Sequence, residues 1–491
     1  MNRNIALALQ SMPTEIISAD SARIEQQMSC FEKGANHIKL LRAATLKAGI
    51  QSFSSDERQV FVDLYTSRKS NLDIVKFVPA SGAASRMFKQ ISAWIENPTE
   101  HRKLIMNFFK EADKLAFMEV WSEKAAENGL NAFELSFDDK VNWLKVLVQR
   151  EGLGLDELPK GLIPFHKYEH SATAVEEHIY ELMEYANGKS GAKVHFTISK
   201  EYEAAFKEEV ARALEHLGFN SDQVEISYSS QKSETDTLST NSKGEALKDE
   251  NGQLLFRPGG HGALLQNLND LDAEIIFIKN IDNVSHRRFK DVNVENKLLL
   301  GGVLITLRDE LLMLHNQVSK GLVDAVSIDQ VRDRWGLRIP REYLKLKEYI
   351  KRPIRVCGMV KNQGEPGGGP FWCADKRTGE SLQIVEQFQV DRGNMRQEMI
   401  LSSSAHFNPV DLVCCVRDLE DNKINLNDFV DDEQYFIAEK IIDGETVKVL
   451  EWPGLWNGAM ANWITVFVEV PIETFNPVKE LNDLLRPNHL G

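Results

Sequence analysis

Residues 74–95 read IVKFVPASGAASRMFKQISAWI, and the fold is decided there. The run from Ile74 to Pro79 is short, apolar and rich in β-formers, which predicts a strand. Six small residues follow, from Ala80 to Ser85, and lead directly into helical text. A strand, a tight small-residue loop and a helix form the repeating element of α/β sheets.

Working outward, HFTIS (195–199) and VEISYS (224–229) predict further strands, separated by a periodic helix over 200–217. AEIIFIKNIDN (273–283) is the most regular strand, releasing polar groups at its C-terminal end. The Ser/Thr/Asn-rich stretch 230–252 reads as a surface excursion. Residues 1–70, 95–190 and 304–349 read as mainly helical, with LRIPREYLK interrupting the last. Beyond Pro353 the text turns to strands: IRVCGMV, LQIVEQFQV, DLVCCVRD, YFIAEKII and WITVFVEV, with the glycine-rich phrase GEPGGGPFW between and a closing helix near 479–485. The expected class is α/β, with a mostly parallel or mixed central sheet and helices on both faces. The expected organisation is helical support over 1–70, a core over 71–350 with a helical insertion at about 95–190, and a β-rich part over 351–491.

The chain has 491 residues, 42% of them hydrophobic and 27% charged, which excludes disordered and fibrous classes. No apolar run reaches the roughly 18 residues of a membrane helix. Lys and Arg number 58 against 73 Asp and Glu, giving 58 − 73 = −15. That balance argues against a nucleic-acid partner, which needs dense positive charge. It leaves room for a small phosphate-bearing ligand held by a few lysines and backbone amides. Five cysteines form no disulfide framework and no Cys-x-x-Cys pattern. The opening MNRNIALALQSMPTE has an apolar stretch too short for a secretory core, so a cytoplasmic location is expected.

Four motifs can carry chemistry. In Ser81-Gly82-Ala83-Ala84-Ser85-Arg86 the backbone can approach an oxygen-rich ligand, and the following helix offers free N–H groups to phosphate. Arg86 and Lys89 can add charge-assisted contacts. The same residues also suit a tight packing turn, and the Gly-Lys-Ser/Thr ending of a Walker loop is absent. Pro258-Gly259-Gly260-His261-Gly262 suits either a plain turn or a close approach to a flat ligand. Asp282 ends an apolar strand, where open sheets place ligands, and can hold Mg²⁺; an Asp–Asn turn is the structural alternative. Lys479 follows a rigid Pro477, either aimed inward or solvated. No Ser-His-Asp, Cys-His or His-Glu-x-x-His arrangement is present.

Taken in order, these motifs resemble those of the nucleotide-sugar pyrophosphorylases, of the UDP-glucose and UDP-N-acetylhexosamine type. Gly82-Ala83-Ala84-Ser85-Arg86-Met87 is similar to that family's phosphate loop, with Ala84 where a second glycine is expected. Pro258 to Gly262 resembles its base-side loop, and Ile281-Asp282-Asn283 its metal-binding element. Phe475-Asn476-Pro477-Val478-Lys479 resembles the element whose lysine meets the sugar phosphate. The whole text is closer still to a bacterial family known as DUF4301.

The resemblance implies a nucleotide-diphospho-sugar transferase-like fold, with 71–350 binding nucleotide and 351–491 completing the sugar-phosphate side. It implies a Mg²⁺-dependent nucleotidyltransferase joining a nucleoside triphosphate and a sugar 1-phosphate. Arg86, Asp282 and Lys479 would then be catalytic. Ser81, Gly82, Ala83, Ala84, Ser85, Lys89 and residues 258–262 would bind the nucleotide. Glu386, Asn408, Asn457 and Asn462 are candidates for the sugar side. The rivals are a non-catalytic nucleotide- or sugar-phosphate-binding protein of the same fold, and an ATP-using kinase-like enzyme.

Overall fold

Ile74, Val75, Phe77 and Val78 are all buried, as a strand covered on both faces requires. In the computed structural model they form the strand Ile74–Pro79. The structure describes residues 19–34, 36–130, 136–364, 367–442 and 445–491. The leader reading therefore falls outside the described residues, as do Glu365 and Pro366 of GEPGGGPFW. The architecture is mixed α/β, and the chain divides into two compact units.

The second unit comprises Val62–Ser230, Ile276–Leu299 and Pro471–Gly491. Its sheet places Ile74–Pro79 between Ile275–Lys279 and Gly191–Thr197. Gly191–Thr197 pairs in parallel with Ile74–Pro79 and with Val224–Ser229. The helix Glu203–Leu217 links Gly191–Thr197 to Val224–Ser229, as a parallel crossover demands. Short helices, among them Met118–Glu127 and Phe137–Val148, make up much of the described part of the 95–190 insertion, which also holds the strands Pro164–Lys167 and Ser171–Thr173. The indole of Trp121 donates to the Trp143 carbonyl at 2.9 Å and gives that insertion its own aromatic core.

The first unit comprises Met1–Phe61, Gln231–Ile275 and Leu300–Val470. Its main strands run in the order Thr45–Leu46, Gly49–Gln51, Ile464–Glu469, Ile354–Lys361, Asp411–Cys415. The first four are parallel neighbours, and Asp411–Cys415 is antiparallel. Two smaller antiparallel sheets accompany it. All five cysteines are buried free thiols. No helix among the described residues is long and apolar enough to cross a membrane.

Three local expectations are corrected. Residues 40–51 are extended, not helical, because Leu40–Ala43 pairs with Gly369–Asp375 far along the chain. Non-local pairing here overrides helical spacing. The polar excursion at 230–252 contains the strand Thr237–Asn241, whose first four residues are buried. Its hydroxyl-rich text hid a central strand of a four-stranded sheet. The closing helix is a short 3₁₀ turn, Leu481–Leu485.

Gly49 shows why the 40–51 segment tolerates little change. Its φ of +115° is strained for any L side chain, and an added Cβ would lie 2.8 Å from Trp372 Nε1. Gly49→Ala is expected to lower stability by about 2 kcal/mol, measured as a reduced urea midpoint.

Candidate functional site

In the second unit, three of the four motifs come together around one lysine that none of them contains. Lys160 Nζ donates to Asp282 Oδ2 at 2.7 Å and to the Val478 carbonyl at 2.7 Å. Its backbone N–H donates to the Gly82 carbonyl at 3.1 Å. Ala84 N–H donates in turn to the Leu158 carbonyl at 2.9 Å. The residues before and at Lys160 thus strap the small-residue loop in place. The pair Lys160–Asp282 is mostly covered, with side chains 13% and 20% exposed.

The loop ends in the helix Ser85–Glu96, whose start has no side-chain cap. Over 82–86 only the Ala84 amide is engaged: the N–H groups of Gly82, Ala83, Ser85 and Arg86 make no hydrogen bond among the described residues. Unsatisfied amides at a helix start attract anions. Gly82 and Ala83 are exposed, as are the side chains of Ser85, Arg86 and Lys89, and Ser81 is half-covered.

Asp282 and Lys479 meet through backbone. Val478 N–H donates to the Asp282 carbonyl at 3.0 Å, and Asn283 bridges Pro477. Asn283 Oδ1 accepts from the Asn476 N–H at 2.8 Å. Lys479 itself is exposed, its ammonium 5.5 Å from the centre of the Phe475 ring, while its N–H donates to Asp483.

Behind Asp282 lies a buried charge network. Glu181, on the helix Ala174–Tyr185, accepts from Lys279 Nζ at 2.7 Å and from Lys76 Nζ at 3.3 Å. Burial would raise the Glu181 carboxyl, but the two ammonium groups outweigh it and hold it well below the ordinary carboxylate range. Burial drives the Lys76 pKa down to about 7, against the pull of Glu181. His178, one turn before Glu181, is driven well below its ordinary pKa by burial and so stays neutral. A carbonyl only accepts, so His178 Nε2 carries the proton it shares with Ile281 O at 3.2 Å.

The fourth motif belongs to the first unit. Gly260 has φ +73°, and a Cβ there would meet Glu451 Oε2 at 2.8 Å. The His261 ring stacks on Trp456 at 4.7 Å and 9°. A Cβ at Gly454 would sit 2.0 Å from His261 Nε2, so only glycine lets that ring in. Burial pulls the His261 pKa down, opposed by Glu386 and Glu451. Pro258 is exposed and Gly259 buried. A Cβ on Gly262 would meet the Trp452 and Pro453 carbonyls at 2.7 Å.

The weaker candidates separate. Asn457 Nδ2 donates to Glu386 Oε1 at 2.8 Å, beside Gly368. Asn408 instead bonds backbone on every side, donating to Gly358 O and accepting from Val410 N–H, which is a structural role. Asn462 donates to Val430 O and lines a separate cavity of about 440 Å³ with Asp375 and Asp431. Sequence reasoning missed Lys160, His178 and Glu181. The signal that could have found Glu181 is Lys76, a charge inside an apolar strand, which calls for a buried partner.

A further cluster in the second unit, His170, Glu176 and His216, presents ligand atoms all within 4.8 Å of one another and could hold a metal ion.

The chain belongs to the family described as domain of unknown function DUF4301, whose model matches residues 10–490. No curated protein matches it in sequence. Among solved structures it is similar to the uridine diphosphate N-acetylglucosamine pyrophosphorylase of Trypanosoma brucei, at 12% identity and TM-score 0.49, over 99% of this chain and 79% of that one. It is also similar to the UDP-glucose phosphorylase of Trypanosoma brucei, at 12% identity and TM-score 0.47, over 100% and 81% of the two chains. A UDP-glucose pyrophosphorylase from Leishmania major aligns at 12% identity and TM-score 0.42, over 99% and 79%.

The buried network predicts a pH signature. Lys76 titrates near 7 when folded and near 10.5 when unfolded, so the unfolded chain binds more protons between those values. Stability should therefore rise as pH increases from about 7 towards 10, read by urea unfolding at several pH values. Lys76→Met should abolish that slope and cost little at pH 7, because Glu181 keeps Lys279. Glu181→Leu should destabilise by about 3–5 kcal/mol, since it strands two buried cations.

Proposed function

We propose that this protein is a Mg²⁺-dependent nucleotidyltransferase that joins a nucleoside triphosphate to a sugar 1-phosphate and releases pyrophosphate. One observation carries the reading: four unengaged amides at a helix start share a backbone frame with the carboxylate of Asp282, and Lys160 ties the two together. The reading rests on the second unit alone.

The donor set fits magnesium. Asp282 Oδ2 is engaged by Lys160, while Oδ1 makes no hydrogen bond among the described residues. Magnesium commonly takes one or two carboxylates and completes its shell with phosphate oxygens and water. When bound at Asp282, the ion would supply neutralisation of charge on the phosphates. The amides of Gly82, Ala83, Ser85 and Arg86 would hold the triphosphate, assisted by the Arg86 side chain and by Lys89. A sugar-phosphate oxygen would attack the α-phosphorus; that P–O bond forms as the bond to the β-phosphate oxygen breaks, and pyrophosphate departs. The exposed ammonium of Lys479 is free to swing onto the sugar phosphate, and Lys160 fixes the Asp282 carboxylate. Such chemistry depends on positioning and electrostatics and calls for no strong protein base. Five buried free thiols suit the reducing cytoplasm proposed as its location.

The test is a matrix of nucleoside triphosphates and sugar 1-phosphates scored for pyrophosphate. At least one pair should release it, chelation should stop the reaction and Mg²⁺ restore it. Asp282→Asn should slow turnover by roughly 100-fold or more. Saturable nucleotide binding with no pyrophosphate from any pair would replace this reading with that of a binding protein, and ADP formation with that of a kinase.

A further inference from the structure

His170, Glu176 and His216 are brought together from three elements of the second unit. His170 sits in the turn between the strands Pro164–Lys167 and Ser171–Thr173. Glu176 lies in the first turn of the helix Ala174–Tyr185, and His216 in the last turn of Glu203–Leu217. His170 Nε2 is 2.7 Å from Glu176 Oε1, and His216 Nδ1 is 3.1 Å from Glu176 Oε2. The two imidazole rings stand 3.9 Å apart, centre to centre. Glu176 is buried, while His170 and His216 are 26% and 27% exposed, which leaves an entry path.

We propose that these three side chains form a binding site for a zinc-class dication, separate from the Asp282 site. Two imidazole nitrogens and one carboxylate are the donor types zinc takes, with water completing a four-coordinate shell. Magnesium and calcium prefer oxygen donors and are poor matches to two imidazoles. Ligand atoms at about 2.0–2.1 Å from a tetrahedral ion lie roughly 3.3 Å apart; the His216–Glu176 spacing of 3.1 Å is already near that, and the His170–Glu176 spacing of 2.7 Å has to open by about 0.6 Å.

The surroundings explain which carboxylate serves. The adjacent Glu177 is already held by His166, Tyr168 and Arg287. Arg287 Nη2 also donates to Glu176 Oε1 at 2.5 Å. It orients the carboxylate from outside, as outer partners of metal ligands do, and its charge moderates the affinity. A carboxylate so placed can only accept, so both ring nitrogens facing it carry hydrogen in the metal-free form. On binding, each nitrogen offers its lone pair to the ion instead. Its proton moves to the other ring nitrogen, or to solvent if the ring was charged. The ion would then pin the 168–171 turn to both helices.

The test uses the full chain, stripped by chelator and titrated with Zn²⁺ against a chromophoric competitor. One ion per chain is expected, with a higher melting temperature and no displacement by excess Mg²⁺. His170→Gln and His216→Gln should each weaken zinc at least about tenfold. Asp282→Asn should bind zinc as the unaltered chain does, which keeps this proposal distinct from the reading of that site. Because the variants can perturb folding, Co²⁺ is added to the unaltered chain as a second measurement. Intense visible absorption from a low-coordinate, imidazole-bound ion is expected. The faint spectrum of hydrated cobalt, or unchanged zinc binding in the double variant, would overturn the site.

Discussion

The second unit depends on one carboxylate that should be costly to bury. Glu181 lies inside the protein between the ammonium groups of Lys76 and Lys279, which come from neighbouring strands. Neither lysine could stay charged there alone. The network fixes where the helix Ala174–Tyr185 sits against the sheet. Through His178, on the same face one turn earlier, that helix also holds the carbonyl of Ile281. Asp282 follows immediately, so its carboxylate is set by the buried network through a single peptide unit.

The same helix carries Glu176 and Glu177 in its first turn, both buried and both partnered by cationic or hydrogen-donating groups. Helix starts favour negative charge, which lightens the cost of placing them there. One helix therefore anchors two clusters of different chemistry, lysines with a carboxylate near its end and histidines with carboxylates at its start. A net charge of −15 says nothing of this, because the surplus of acid is distributed over the surface while the interior pairs are local.

Where a strand was an apolar run or alternated β-formers with polar residues, the text sufficed: IVKFVP and AEIIFIK of the first kind and VEISYS of the second lie where their patterns put them. Where a strand was held by a distant partner, the text misled, as with Leu40–Ala43 and the hydroxyl-rich Thr237–Asn241. The small-residue loop, Asp282 and the Pro477–Lys479 stretch were legible as motifs because turns and strand ends use distinctive residues. Lys160 was not, since nothing near it in sequence signals a carboxylate 122 residues away. The glycines of 258–262 were legible as a turn, but their reason, the close approach of 451–454, belongs to the tertiary fold.

The clasp around Lys160 also sets a timetable for biosynthesis. Its three partners, the Gly82 carbonyl, Asp282 and the Val478 carbonyl, leave the ribosome in that order, separated by hundreds of residues. Until residues 477–479 emerge, the Lys160 ammonium and the Asp282 backbone lack their last partner. A nascent chain can thus strap its small-residue loop to residues 158–160 early, while the clasp of Lys160 and Asp282 closes only once residues 477–479 are made.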